Sequence, residues 1–411
     1  MILTSQRPPL GASFDPVHTQ VELPYTFYAR IRQEEPITFN PELNAYLVSR
    51  YDDIRSILSQ PEYFSSKEAL DFPVKFHEQT LAELRKGYQF VTATINSDGA
   101  RHKRQRAPFQ KAFAPARIKS MEPLIQEVAI RLANAFREDG RVEIISQFAY
   151  PLPLEIILTL VGVPLQDLEM IKARSDAARL LLSLTLPLEQ QVDCARQFVE
   201  LQHYYAQLLE ERRKKPAQDL ISDLISSGEE GEEQPSLPEL IRQIMGVVVA
   251  GHETTTHLIG SGLIVLLEQP ERWQELCAHP EYIPVAIEEI LRLRGPVQGF
   301  FRTTTQQVTV GGQRLPAGTR LFLLYASANR DEERFPQAEH YIGNRQPNHH
   351  LAFGHGVHFC VGAPLARLEG RIAFETLTHY FPNLRLVPDQ RFFYTFNLTT
   401  YGCQQIYLTW N

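Results

Sequence analysis

Residues 237–269, LPELIRQIMGVVVAGHETTTHLIGSGLIVLLEQ, restrict what this chain can fold into more than any other segment. Apolar residues return there every three or four positions, and from Ile244 to Leu267 they cover nearly every side. A continuous helix over residues 237–267 is about 45 Å long at 1.5 Å per residue. With no polar face to offer water, it must cross the protein interior. Ser236 followed by Glu239 forms a capping-box start. With 411 residues, 43% of them apolar, the chain has enough material to enclose such a helix in one large core. We therefore expect residues 1–411 to form a single domain.

Into that interior the sequence inserts AGHETTT, residues 250–256. Threonines and glycines alone would predict a helix kink. Glu253 changes the reading, because a carboxylate in a dry core costs several kcal/mol unless it is paired or used. Beside Thr254 it suits proton delivery to a bound ligand. Gly251 removes a side chain where a ligand would approach, and the Thr254 hydroxyl competes for the Ala250 carbonyl. Together they predict a small groove in the helix.

Helical periodicity also marks 117–138, 153–161, 190–214, 282–294 and 363–380. Short apolar runs around turns predict small hairpins at 37–50 and 307–325, and alternating aromatics and threonines predict a β-rich stretch within 391–410. The fold class is mainly α with small β-sheets (α+β). A net charge of −7 argues against nucleic acid as a partner. The N-terminal residues read as neither signal peptide nor membrane anchor, which predicts a cytoplasmic protein. Cys194, Cys277, Cys360 and Cys403 are far apart and form no CxxC pair.

The second informative segment is FGHGVHFCVG, residues 353–362. His349, His350, His355, His358 and Cys360 lie close enough to suggest a zinc site, although no second ligand pair is evident. Cys360 could equally be a buried structural thiol. A third reading is haem ligation by thiolate. Gly354, Gly356 and Gly362 permit tight turns and a close approach, Phe353 could shield the sulfur, and a helix starting near Ala363 would aim its positive end at it.

This decapeptide matches, position by position, F-G-x-G-x-[HR]-x-C-x-G, and so resembles the signature of the cytochrome P450 family. AGHETT resembles that family's oxygen-activating helix, and EEILR its E-x-x-R motif through Glu289 and Arg292. The resemblance implies a P450 fold with haem b between the long helix and the cysteine loop, held noncovalently. Cys360 would ligate the iron and favour O–O cleavage. His102 and Arg106 of RHKRQR, with Arg302 and His358, would bind the propionates. Ala250, Gly251, Phe353, Gly354 and Gly362 would lie against the cofactor. Glu253 and Thr254 would deliver protons, while Glu289 and Arg292, closed by residues 328–335 and Arg345, would hold the haem loop in place.

The implied reaction inserts one atom of O2 into a hydrophobic organic molecule by hydroxylation or epoxidation. Electrons would come from a ferredoxin and its NAD(P)H-dependent reductase, docked near Lys103, Arg104 and Lys111. Two alternatives stand beside it: a peroxide-driven peroxygenase and a noncatalytic haem sensor or carrier. By position the substrate pocket draws on residues 76–94 and on Val247, Val297, Gln298, Phe300, Phe396 and Leu398, with Gln298 and Asn397 as orienting groups. No membrane anchor is expected, and the protein is expected to be a monomer.

Overall fold

The computed structural model describes residues 8–16, 20, 24–70, 75–181, 186–227, 234–394 and 398–410. Its axis is the helix Leu237–Leu267, opened by the Ser236–Glu239 capping box, in which the Ser236 N–H donates to Glu239 Oε2 at 3.0 Å. The helix runs unbroken through residues 250–256. Thr254, Thr255 and Thr256 donate their hydroxyls to the carbonyls four residues back, at 2.9, 3.3 and 2.8 Å. The first of these is the expected competition of the Thr254 hydroxyl for the Ala250 carbonyl.

Three helices enclose this axis: Pro151–Val161, Ile283–Arg294 and Ala363–Tyr380. Two glycines set how closely they approach. A Cβ at Gly262 would stand 2.5 Å from the Phe374 ring, and one at Gly251 would stand 2.6 Å from Ile157 Cγ1. The second contact corrects an expectation. Gly251 opens toward the Pro151–Val161 helix, so helix packing rather than ligand approach requires a glycine there.

Each helix expected from periodicity is present, some with shifted ends: Pro115–Ser120 and Glu122–Ala135 share the 117–138 stretch. Periodicity missed Gly99–Ala112 and Leu168–Leu180. The first is too basic and polar to show an apolar stripe, and it carries Pro108 inside it.

A five-stranded sheet stands to one side, in the order Ile37–Asn40, Ala45–Val48, Arg320–Leu324, Gly299–Thr304, Phe64–Ser65. Ala45–Val48 and Arg320–Leu324 run parallel, with Leu47 opposite Phe322; the other pairs are antiparallel. Leu47 and Phe322 are fully buried, and each such side chain contributes about 1.5–3 kcal/mol. The expected hairpin at 307–325 is half correct. Val308–Val310 pairs with Gln313–Leu315, whereas Arg320–Leu324 joins the large sheet. Within the expected 391–410 stretch the described residues hold one strand, Tyr407–Thr409, which pairs antiparallel with Arg385–Leu386, and two isolated bridges, Val297 to Thr400 and Tyr394 to Cys403.

Candidate active site

The cysteine loop turns twice through glycine. Gly354 and Gly356 both sit at φ +71°, a conformation other residues adopt only with strain. A Cβ at Gly356 would also meet the Leu58 carbonyl oxygen at 2.3 Å. The Cys360 N–H donates to the Phe353 carbonyl at 2.9 Å and closes the loop. Gly362, at φ −81°, is not needed for its backbone conformation. A Cβ there would lie 3.9 Å from Cys360 Sγ, so its absence leaves room beside the sulfur.

Cys360 is exposed, yet the protein gathered around its recess pushes the thiol pKa up. Backbone N–H groups of Gly362 and Ala363, with the Arg106 and Arg367 guanidiniums, pull the other way. These amides belong to the first turn of Ala363–Tyr380, whose positive end adds to their effect. The arrangement suits a sulfur that carries or shares negative charge. Phe353 is half-buried beneath the Arg367 guanidinium, 4.5 Å from its ring centre.

Four basic side chains meet beside this loop. His102 and Arg106 lie one turn apart on Gly99–Ala112. The His102 ring lies 4.0 Å from that of His358, centre to centre, and Arg106 Nη2 donates to the Phe359 carbonyl. Arg302, buried in Gly299–Thr304, adds its charge to both histidines. Burial, reinforced by these positive neighbours, pushes His358 down to about 3. Burial also lowers the His102 pKa, and His102 Nε2 has no hydrogen-bond partner. Asp98 is the one carboxylate acting on His102, and it also accepts from the Ser66 N–H at 2.9 Å. Such a cluster favours an anion.

On the central helix, Ala250 is exposed and Thr254 half-buried one turn on. Val247 lies on the same side, three residues earlier. Glu253 points toward the C-terminal segment: Thr400 Oγ1 donates to its Oε1 at 3.4 Å, and His257 Nε2 lies 3.8 Å away.

Sequence reasoning missed Glu369. It lies on Ala363–Tyr380 at 1% exposure, and neither carboxylate oxygen is geometrically satisfied. Its neighbour Thr255 donates instead to the Gly251 carbonyl. Burial raises its pKa well above the usual glutamate value and so favours the protonated form. A lone glutamate at a position facing the central helix was the signal that could have found it.

Glu289 and Arg292 anchor the region as expected. Arg292 donates to both Glu289 oxygens and to the carbonyls of Asn329, Ala338 and His340, at 2.7–3.0 Å. Arg345 Nε reaches Glu289 at 3.0 Å, and Asn329 Oδ1 accepts from the Leu351 N–H at 2.6 Å, just ahead of the cysteine loop.

Several pocket expectations need correction. Gln298 is buried and engaged: Tyr28 Oη donates to its Oε1 at 3.2 Å, and its Nε2 donates to the Gly295 carbonyl at 3.3 Å. Leu398 packs into the apolar cluster of Tyr25, Tyr28 and Phe322. Val297 and Phe300 are partly buried against the sheet-side core, with Phe300 edge-on to Tyr325 at 5.9 Å. Phe396 and Asn397 lie outside the described residues. The zinc reading also fails. His350 is engaged by Glu288 at 3.1 Å, and among the described residues no three His, Cys, Asp or Glu side chains are grouped to hold a metal ion. Lys111 is exposed, as expected, and pairs with Asp223 at 2.8 Å. No helix is long and apolar enough to cross a membrane, among the described residues.

Comparison with known proteins agrees with this geometry. The family model described as cytochrome P450 matches residues 44–278 and 273–392. Cytochrome P450 107B1 of Saccharopolyspora erythraea is 36% identical over 375 residues, 88% of this chain and 89% of that protein. Cytochrome P450 monooxygenase PikC of Streptomyces venezuelae is 33% identical over 369 residues, 88% of this chain and 85% of that protein. The solved structure of cytochrome P450 CREJ in complex with (4-ethylphenyl) dihydrogen phosphate superposes with TM-score 0.90 at 31% identity, covering 98% of this chain and all of that one. With likeness of this extent in both sequence and fold, the chain belongs to the cytochrome P450 family and is a P450 monooxygenase.

Proposed function

We propose that Cys360 would hold haem b through its thiolate, and that the enzyme hydroxylates or epoxidises a hydrophobic small molecule with electrons from a ferredoxin and its reductase. The observation that carries this reading is a convergence of complementary groups. A cysteine sulfur held by two amides stands beside four basic side chains that have little acidic company. A dianionic porphyrin fits that set: its propionates match His102, Arg106, Arg302 and His358, and His102 Nε2 is a buried polar atom in need of a partner. Ala250, Phe353, Gly354 and Gly362 present small or apolar surface to the same space.

Haem, when bound, supplies reductive activation of O2. The chain's own residues then manage protons and water. Thr254 Oγ1, bonded to the Ala250 carbonyl, offers its oxygen to an incoming donor at the exposed edge of the helix. Glu253, partly exposed beside Thr400 and His257, exchanges protons with the C-terminal side. Glu369, neutral beneath Thr255, is a second proton store. The presence of Glu253 with Thr254 favours O2 over peroxide as the oxidant.

Exposed Lys103, half-exposed Arg104 and the exposed apolar Val357 and Phe359 flank the cysteine loop and suit an acidic ferredoxin. We place residues 1–411 in one P450 domain, monomeric and cytoplasmic, in keeping with four unpaired cysteines.

The test is reconstitution with ferredoxin, reductase, NAD(P)H and O2, scored by hydroxylated product. The ferrous carbon monoxide complex should show the thiolate-type Soret band, and Cys360→Ala should lose it. Full turnover from NADPH without a partner protein would refute the electron route. A retained band in Cys360→Ala would refute the ligand assignment.

A further inference from the structure

The central helix is buried on most sides, but between residues 241 and 255 one stripe is not. Arg242, Gly246, Val249, Ala250 and Glu253 are all partly or fully exposed, with Val247, Gly251 and Thr254 partly exposed beside them, whereas Gln243, Ile244, Met245, Val248 and His252 are buried. Steps of four, three, one and three residues keep the exposed set on one helix face. That face borders open space, since a Cβ at Gly246 would meet no atom within 4 Å. Its lower end is Ala250, at the candidate haem site. Its upper end is Arg242.

Among the described residues, Arg242 has no hydrogen-bond or ion-pair partner. Arg101, by contrast, reaches Glu239 on the same helix at 3.2 Å. Burial lowers the Arg242 pKa with no acidic group opposing the effect. Arginine nonetheless keeps its charge at neutral pH. A half-buried cation without a counterion is unfavourable, and its planar fork matches a carboxylate or phosphate.

We infer that the substrate of this site carries an anionic head group, carboxylate or phosphate, bound by Arg242 at the end of the helix face away from Ala250. This inference rests on the P450 reading above and adds to it a substrate class. Eight residues, about 12 Å of helix, separate Arg242 from Ala250. Gly246 and Val249 between them offer only apolar surface. The substrate is therefore an amphiphile whose apolar body runs along the helix, and its oxidation falls far from the head group.

Spectral titration of the holoprotein with dodecanoate, dodecyl phosphate and dodecanol tests this. At least one anion should bind about tenfold or more tighter than the alcohol, as expected for a charge-assisted bond in a partly desolvated site. The anion bound more tightly identifies the head group. Arg242→Gln should remove that advantage and leave dodecanol binding unchanged, and Arg242→Lys should keep part of it. Equal affinity for all three probes, no spectral response to either anion, or an unaltered preference in Arg242→Gln overturns the inference. The carbon monoxide spectrum separates the two levels. A thiolate-type band in wild type and variants shows that only the head-group assignment failed, whereas its absence in wild type overturns the haem reading and this proposal with it.

Discussion

Glu289 and Arg292 face each other wholly out of solvent, joined by two 2.8 Å bonds between the guanidinium and both carboxylate oxygens. Arg345 and Asn348 hold the same carboxylate from the 342–348 segment. Removing one partner leaves a buried charge unmatched, at a cost of about 3–5 kcal/mol. We predict that Glu289→Gln and Arg292→Leu lower stability by that order and yield little haem-loaded protein. Arg292→Lys should also fail, because one ammonium cannot serve Glu289 and three carbonyls at once. Haem content per chain and denaturant midpoints are the measurements, and an Arg292→Lys protein with full haem content would contradict the account.

Thr254 is expected to govern coupling rather than folding. Its hydroxyl bonds within its own helix, so Thr254→Ala should change stability by under about 1 kcal/mol. Reduced nicotinamide should still be consumed, with more peroxide and less product. Unchanged coupling in a reconstituted assay would count against the proton-delivery role.

Glu369 makes stability depend on pH in a direction opposite to that of an ion-paired carboxylate. Its folded pKa is raised well above the unfolded value of about 4.3, so its favourable contribution is complete below that value. That contribution fades as pH rises toward the folded pKa. Glu369→Gln, a neutral isostere, should therefore be more stable than wild type at neutral and alkaline pH, with the difference shrinking toward pH 4. Thermal midpoints across that range decide the matter, and a variant less stable at every pH would show that Glu369 is charged and paired.

Gly251 should behave as a packing residue. Gly251→Ala places a methyl 2.6 Å from Ile157 Cγ1 and should cost about 1–3 kcal/mol. Ile157→Val or Ile157→Ala in the same chain should recover part of the loss relative to the sum of the single changes. Strict additivity would place the glycine requirement elsewhere.

Much of the site was legible before any coordinates. His102 and Arg106 share one face of Gly99–Ala112 as their four-residue spacing requires, and Cys360 sits in the glycine loop its motif describes, although their meeting joins segments about 250 residues apart. Gly354 and Gly356 announce their left-handed turns by being glycine at all. Gln298 and Leu398 were misread because position along the chain says nothing about which way a side chain turns. Tyr28, 270 residues from Gln298, claims its amide.

The sequence by itself determined the long interior helix, the cysteine loop and the helix that follows it. All three follow from local rules: apolar periodicity, capping and glycine conformations. Only the tertiary structure decided that Ala45–Val48 pairs in parallel with Arg320–Leu324, that Glu369 is buried with its pKa raised, and that Gly251 faces Ile157. Those outcomes depend on contacts between distant segments, where burial and close packing select the partner. No short stretch of chain carries that information.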